Sequence, residues 1–230
     1  MATTQIINRY RPVVAPRLPS APEAYSAQYQ EQFMNILRLY FNQLDNLTGI
    51  VLGEAGGRFI RFPYGAFSSD QDQSTTANTA TVMTLNTTDF SNQVAMGTVT
   101  VPSTSKITVT NAGIYNLQFS AQFQNTDNQI QDISIWLRQG NGSTASTDIT
   151  GSTGFVSIPA RKSASAGEEA HEIIGWNYFL SMNLDDYVEI YWSATLASVT
   201  IQHYPASTGP VRPSTQSVVA TLSFVSRLPT

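Results

Sequence analysis

The chain of 230 residues has no cysteine, which excludes disulfide staples and thiolate metal sites and leaves burial and assembly to stabilise it. Charge is also scarce. Charged residues make up 12 % of the sequence, about half of the ~25 % usual in soluble domains, and Ser, Thr, Asn and Gln fill the polar positions. Two lysines, ten arginines and a net charge of −4 give no broad basic field, so neither nucleic acid nor an anionic membrane is an expected partner. No apolar run approaches the ~18 residues of a membrane span, and the N-terminus lacks the apolar core of a secretory signal, so Sec-dependent export is not expected.

Catalytic patterns are missing as well. There is no G-x-S-x-G, no P-loop and no dinucleotide fingerprint, and Ser and Thr are too abundant to single out a nucleophile. Only His171 and His203 could serve a histidine-dependent site. His171 lacks H-E-x-x-H spacing and reads as an exposed loop residue before a strand. His203 alternates with Ile201 and Val199, as a half-buried strand-end residue does. Asp70-Gln71-Asp72-Gln73-Ser74 alternates oxygen ligands but lacks the glycine and glutamate that complete a calcium loop. Asp185 and Asp186 are adjacent, and neighbouring residues in a turn point apart, so turn chemistry explains them better than an acid–base pair. The expectation is a protein that is not an enzyme, with no catalytic residue, no cofactor and no metal.

Four segments can be read along the chain. Residues 1–24 hold Pro12, Pro16, Pro19 and Pro22 with Arg9, Arg11 and Arg17, and no acid before Glu23. Proline fixes φ and removes amide donors, so this is an extended basic arm. Its apolar Ile6, Ile7, Tyr10, Val13, Val14 and Leu18 suit a peptide that lies on a partner, with Arg9, Tyr10, Arg11 and Arg17 as candidate contacts. A disordered terminus is the competing reading.

Over 25–48 the pattern turns helical. Tyr25, Tyr29, Phe33, Ile36, Tyr40, Leu44 and Leu47 recur at spacings of 4, 4, 3, 4, 4 and 3 and share one face. Ser20 is the expected N-cap and Gly49 the expected stop. The eleven-residue repeat keeps the stripe nearly straight. Its aromatic size suits a parallel bundle of three identical helices, and a helix packed on its own domain is the alternative. Residues 49–57, with Gly53, Gly56 and Gly57, form a joint.

From 58 to 230 the text is β. In 113–124, Tyr115, Leu117, Phe119, Ala121 and Phe123 alternate with Asn116, Gln118, Ser120, Gln122 and Gln124, giving one buried and one polar face. About ten such runs, separated by turn clusters and uninterrupted by a long helical pattern, predict a mainly β antiparallel sandwich. Trp176 and Trp192 are expected in the core or at an interface. Trp136 is expected to face outward, because Ile135 and Leu137 claim the inward phase.

Three motifs carry a resemblance. Gly113-Ile114-Tyr115-Asn116-Leu117 resembles a turn glycine opening a G-x-Y-x-F strand. Leu184-Asp185-Asp186-Tyr187-Val188-Glu189-Ile190 resembles a Gly-Asp turn leading into D-x-V, with Asp185 in place of the glycine. Ala220-Thr221-Leu222-Ser223-Phe224-Val225 resembles an apolar closing strand. Together they make 58–230 similar to the trimeric jelly rolls of the tumour-necrosis-factor and complement globular-head superfamily. That resemblance implies a jelly-roll knob and a homotrimer whose aromatic sandwich faces meet around an axis. It also implies core or interface roles for Tyr115, Leu117, Phe119, Phe123, Val188, Ile190, Leu222 and Phe224.

The front of the chain resembles the anchoring region of structural proteins from tailed phages of marine and freshwater bacteria, in a Y-x-x-Q-x-x-N-x-x-R-x-Y-F-N-Q pattern. Here it runs from Tyr29 and Gln30 through Gln32, Asn35 and Arg38 to Tyr40-Phe41-Asn42-Gln43. This resemblance implies a virion protein assembled in the host cytoplasm, a short fibre or capsid decoration subunit whose arm sits in a capsid, portal or tail component. Two alternatives stand beside it: a receptor-binding knob for a host-surface glycan or protein, and a secreted cellular ligand or lectin of the same fold.

Overall fold

A computed structural model describes residues 14–52, 62–97, 103–142, 144–163 and 169–229. Arg9, Tyr10 and Arg11 lie outside the described residues, as does most of the expected joint. The chain divides into two units, Met1–Arg61 and Phe62–Thr230.

In the first unit, α1 spans Ala27–Leu52. Its cap is Ser26 and not Ser20: the Tyr29 amide donates to Ser26 Oγ at 3.3 Å and the Gln30 amide to Ser26 O at 3.1 Å. Prolines 19 and 22 hold the preceding segment extended, so the first serine free to cap is the one that follows them. Tyr25 therefore precedes the helix and is 86 % exposed, outside the stripe it was expected to open. Gly49 does not stop the helix, which continues through it to Leu52; one interior glycine costs only ~1 kcal/mol.

Tyr29, Phe33, Ile36, Tyr40, Leu44 and Leu47 do fall on one half-buried stripe, with the rings of Tyr29 and Phe33 stacked 6.2 Å apart. Part of the arm runs back along it. Tyr29 Oη donates to Pro19 O at 3.4 Å, and Val14 and Pro16 line a hollow with Ile36, Leu39, Tyr40 and Gln43. Arg17 is exposed, and on other parts of the helix surface Met34 and Phe41 are 59 % and 56 % exposed.

The second unit is built on eight principal strands: β1 Tyr64–Ser69, β2 Ile107–Val109, β3 Gly113–Asn125, β4 Gln131–Asn141, β5 Gly154–Ile158, β6 Ala170–Met182, β7 Asp186–Ala194 and β8 Val218–Ser226. Sheet one has the order β6-β3-β8-β1, and sheet two the order β5-β4-β7-β2. Every principal pairing is antiparallel. In chain order the strands visit sheets one, two, one, two, two, one, two and one, which is the interlocked Greek-key path of a jelly roll. Eight further strands bring the total among the described residues to sixteen. Sequence reading gives about ten: it leaves out the two-residue strands Gln73–Ser74, Thr147–Asp148, Ser207–Thr208 and Val211–Arg212, which have no periodicity to read, and also the six-residue strands Tyr64–Ser69 and Thr87–Asn92.

Alternation builds the core. Tyr115, Leu117, Phe119, Ala121 and Phe123 from β3 meet Ile133, Ile135 and Leu137 from β4 and Val188, Ile190 and Trp192 from β7 in one buried cluster. The Trp192 ring is fully buried and meets Phe123 edge-on at 5.5 Å. The β3–β6 ladder runs unbroken from Gly113↔Met182 to Asn125↔Ala170. It contains His171, which is thus a strand residue and not part of the loop expected from sequence. The ladder also needs Gly175: a Cβ there would lie 2.2 Å from the Phe119 carbonyl oxygen.

Candidate functional site

Antiparallel register fixes which side chains share each outward face of the sandwich. On sheet one, Ile114, Asn116, Gln118, Ser120 and Gln122 of β3 stand opposite Ser181, Phe179, Asn177, Gly175 and Ile173 of β6. Across β8, Ser120, Gln118 and Asn116 stand opposite Val219, Thr221 and Ser223. No Lys, Arg, Asp or Glu interrupts this face over those three strands. Its β6 margin exposes Ile173 at 69 % and Phe179 at 57 %, and beyond β1 the strand Thr87–Asn92 exposes Phe90 at 70 %. The face is thus an uncharged amide surface with apolar margins. The aromatic residues of β3 and β8 point inward, so the outward aromatic side chains of this face are confined to its margins. Asn116 Oδ1 is buried there without a hydrogen-bond partner.

Sheet two faces outward with a different chemistry. Glu189 pairs in register with Arg138, and Tyr191 with Trp136; Phe155 lies opposite Ser134 and Asp148 opposite Arg138. Asp148 Oδ1 accepts from Trp136 Nε1 at 2.7 Å and from Arg138 Nε at 2.5 Å. The Arg138 guanidinium also sits 4.1 Å from the Tyr191 ring centroid. The Arg138 hydrogen bond, and after it that of Trp136, holds the Asp148 carboxyl below its ordinary value. Toward the β2 side, Lys106 covers Tyr187 at 4.1 Å, and Glu189 is buried while accepting from Ser105 Oγ at 2.7 Å and Ser146 Oγ at 2.6 Å. Trp136 faces outward as its phase requires.

The remaining candidates have local partners. Asp70 is held by Asn86 and Gln71, and Asp72 accepts the His203 amide at 2.8 Å, so the alternating oxygens do not converge. Asp185 has φ 64, a left-handed turn conformation that aspartate tolerates. Asp186 is buried and accepts from Gln139, Asn141 and the Asn183 amide at 2.7 to 3.0 Å. His203 is half-buried. His171 Nδ1 lies 2.9 Å from Tyr204 Oη, and burial, followed by the charges of Glu169 and Asp72, pushes Tyr204 up to about 12. Of the eight residues that the resemblance assigned to core or interface, seven are buried and Phe224 is partly buried against them; all belong to the inner faces. Among the described residues no cluster of His, Asp and Glu side chains could hold a metal ion, and no helix is long and apolar enough to cross a membrane.

The second unit is thus a mainly β antiparallel jelly roll with two chemically distinct outward faces. No family model matches the chain, and no curated protein does. Among solved structures it is similar to Eiger TNF from S. frugiperda, at 11 % identity over 74 % of this chain and 97 % of that one, with a TM-score of 0.44. It is also similar to the globular domain of zebrafish complement 1qA protein, at 12 % identity over 73 % of this chain and 100 % of that one, with a TM-score of 0.41.

Proposed function

We propose that the chain is a non-catalytic structural subunit that assembles as a homotrimer and is held on a virus particle by its N-terminal arm, as a short fibre or capsid decoration protein. The observation that carries the self-association is the outward face of sheet one. Three adjacent long strands present amides, hydroxyls and the margin side chains Ile173 and Phe179 without one charged side chain, and depletion of charge is what the centres of surfaces buried between subunits have in common. The half-buried stripe of α1 supports the same reading, since a helix with apolar side chains over so much of its surface gains stability by packing against copies of itself. Three arms per assembly would turn modest contacts into a persistent attachment through effective concentration.

Light-scattering mass on the full chain tests the assembly. A value of about 75 kDa, three times 25.1 kDa, is expected, and a monodisperse 25.1 kDa species would overturn it. The attachment is tested by adding the purified protein to particles stripped of it: binding that is lost when residues 1–24 are deleted supports the virion role. Binding to host cells but not to particles would favour the receptor-binding alternative.

A further inference from the structure

The outward side of sheet two carries three aromatic side chains on three adjacent strands. Phe155 on β5 is 68 % exposed; Trp136 on β4 and Tyr191 on β7 are half-buried. The Trp136 and Tyr191 rings lie 5.9 Å apart, tilted by 33°, and the Arg138 guanidinium lies over the Tyr191 ring at 4.1 Å. Phe155 is opposite Ser134, one outward position from Trp136, a diagonal of ~7–8 Å between adjacent strands. The band is long enough for a short oligosaccharide.

Its rim has the chemistry that such a ligand needs. A pyranose has an apolar C–H face that stacks on aromatic rings and a periphery of hydroxyls that require fixed polar partners. Asp148 takes both its donors on Oδ1, while Oδ2 accepts from no described residue and the side chain is 61 % exposed. The carboxylate is therefore oriented by Trp136 and Arg138 with one oxygen free to accept. On the other side stand the hydroxyls of Ser134 and Ser193, partners in register, and Ser157, which donates to Asp132 at 2.6 Å.

Charge selects among ligands. Arg138 and Asp148 form the one ion pair among the described residues, so the cation beside the band is already neutralised, and Asp132 adds a negative charge. A phosphate, sialate or uronate would meet net repulsion, whereas a neutral sugar would not. We propose that this face binds a neutral oligosaccharide, with Trp136 and Phe155 stacking on the sugar rings and Asp148 accepting from their hydroxyls. The proposal does not depend on the virion reading, because it uses the face opposite the assembly surface.

The test is calorimetric titration of the full chain with maltohexaose, cellohexaose, mannohexaose and chitohexaose, with polygalacturonate as the acidic comparison, followed in parallel by tryptophan emission. Saturable binding of at least one neutral hexamer is expected, with a change in emission from Trp136. Phe155→Ala, at an exposed position with little bearing on folding, should weaken it about tenfold, and Trp136→Ala should weaken it further. Asp148→Asn should weaken it as well, with circular dichroism unchanged. Binding of none of the four at millimolar concentration, tighter binding of polygalacturonate, or affinity unchanged in Phe155→Ala would each overturn the proposal. Each of these outcomes leaves the trimer mass unaffected, so failure here and failure of the assembly reading are separable.

Discussion

The two outward faces of the sandwich lie over the same core and are built from the same alternation, yet they share almost no chemistry. Sheet one presents Asn116, Gln118, Gln122, Thr221 and Ser223 with Ile173 and Phe179 at its margin. Sheet two presents Arg138, Asp148 and Lys106 among Trp136, Tyr191 and Phe155, with Glu189 and Tyr187 buried beneath them. Neither set is required by the jelly roll, whose core lies between the sheets. Outward composition is therefore informative about what each face meets: a face without charged side chains loses no ion hydration when another copy covers it, whereas covering sheet two would desolvate the Arg138–Asp148 pair, which is costly.

The largest effect should come from charging the neutral face. Gln118→Arg places a cation in the centre of sheet one at an exposed position, where an isolated sandwich tolerates it. In an assembly, the same charge from each copy would be desolvated, and like-charge juxtaposition costs several kcal/mol. The expected mass falls from about 75 kDa to the 25.1 kDa of one chain, while Ser134→Arg on sheet two leaves it unchanged. If both variants keep their mass, or both lose it, the two faces do not differ in the way proposed.

A smaller effect separates structural charge from surface charge within sheet two. Glu189 is 5 % exposed and accepts two serine hydroxyls. Glu189→Ala should cost about 2 kcal/mol in urea unfolding, and Glu189→Gln, which keeps an acceptor, should cost less. An unchanged midpoint in Glu189→Ala would mean that this carboxylate does not tie the loops at 103–106 and 144–147 to the sheet. Outside both faces, Asp185→Gly relieves a left-handed turn residue and should stabilise by about 0.5–1 kcal/mol in the same assay. That gives a scale for turn effects that touch no surface.

Legibility from sequence follows from how far each signal extends along the chain. The long alternation of β3 fixed its inward and outward sets, and the outward phase of Trp136 followed from Ile135 and Leu137 in the same way. Asp185 in a position expected for glycine was visible as a departure, and its positive φ is the reason glycine suits that turn. The cap at Ser26 was missed because Ser20 with Glu23 imitates a capping box, and only the extended path through the prolines decides between them. The contrast between the faces was hidden for another reason. Asn116 meets Phe179 and Trp136 meets Tyr191 only through strand pairing, and Asp148 reaches Trp136 from a two-residue strand that has no periodicity. A signal existed in the strictly uncharged polar phase of β3, but it acquires meaning only beside the equally uncharged outward phases of β6 and β8.

The smallest effect is a titration, and it decides whether the sheet-two cluster is pre-organised. Asp148 has its carboxyl held below the ordinary 3.8, first by the Arg138 hydrogen bond and then by that of Trp136. A depressed folded value means that the stabilising contribution is complete above the ordinary value and disappears as pH falls through the folded one, so the window lies below 3.8. Carbon-detected NMR of the Asp148 carboxyl should give a midpoint under 3.8, and the Trp136 indole N–H should shift with the same midpoint, because its acceptor is the group being protonated. Arg138→Met should raise the midpoint by more than Trp136→Phe does, in the order of the two hydrogen bonds. A wild-type midpoint at 3.8, with an indole resonance indifferent to pH, would mean that the carboxylate moves freely in water. Sheet two would then carry charge without a fixed acceptor, and the difference between the faces would reduce to composition alone.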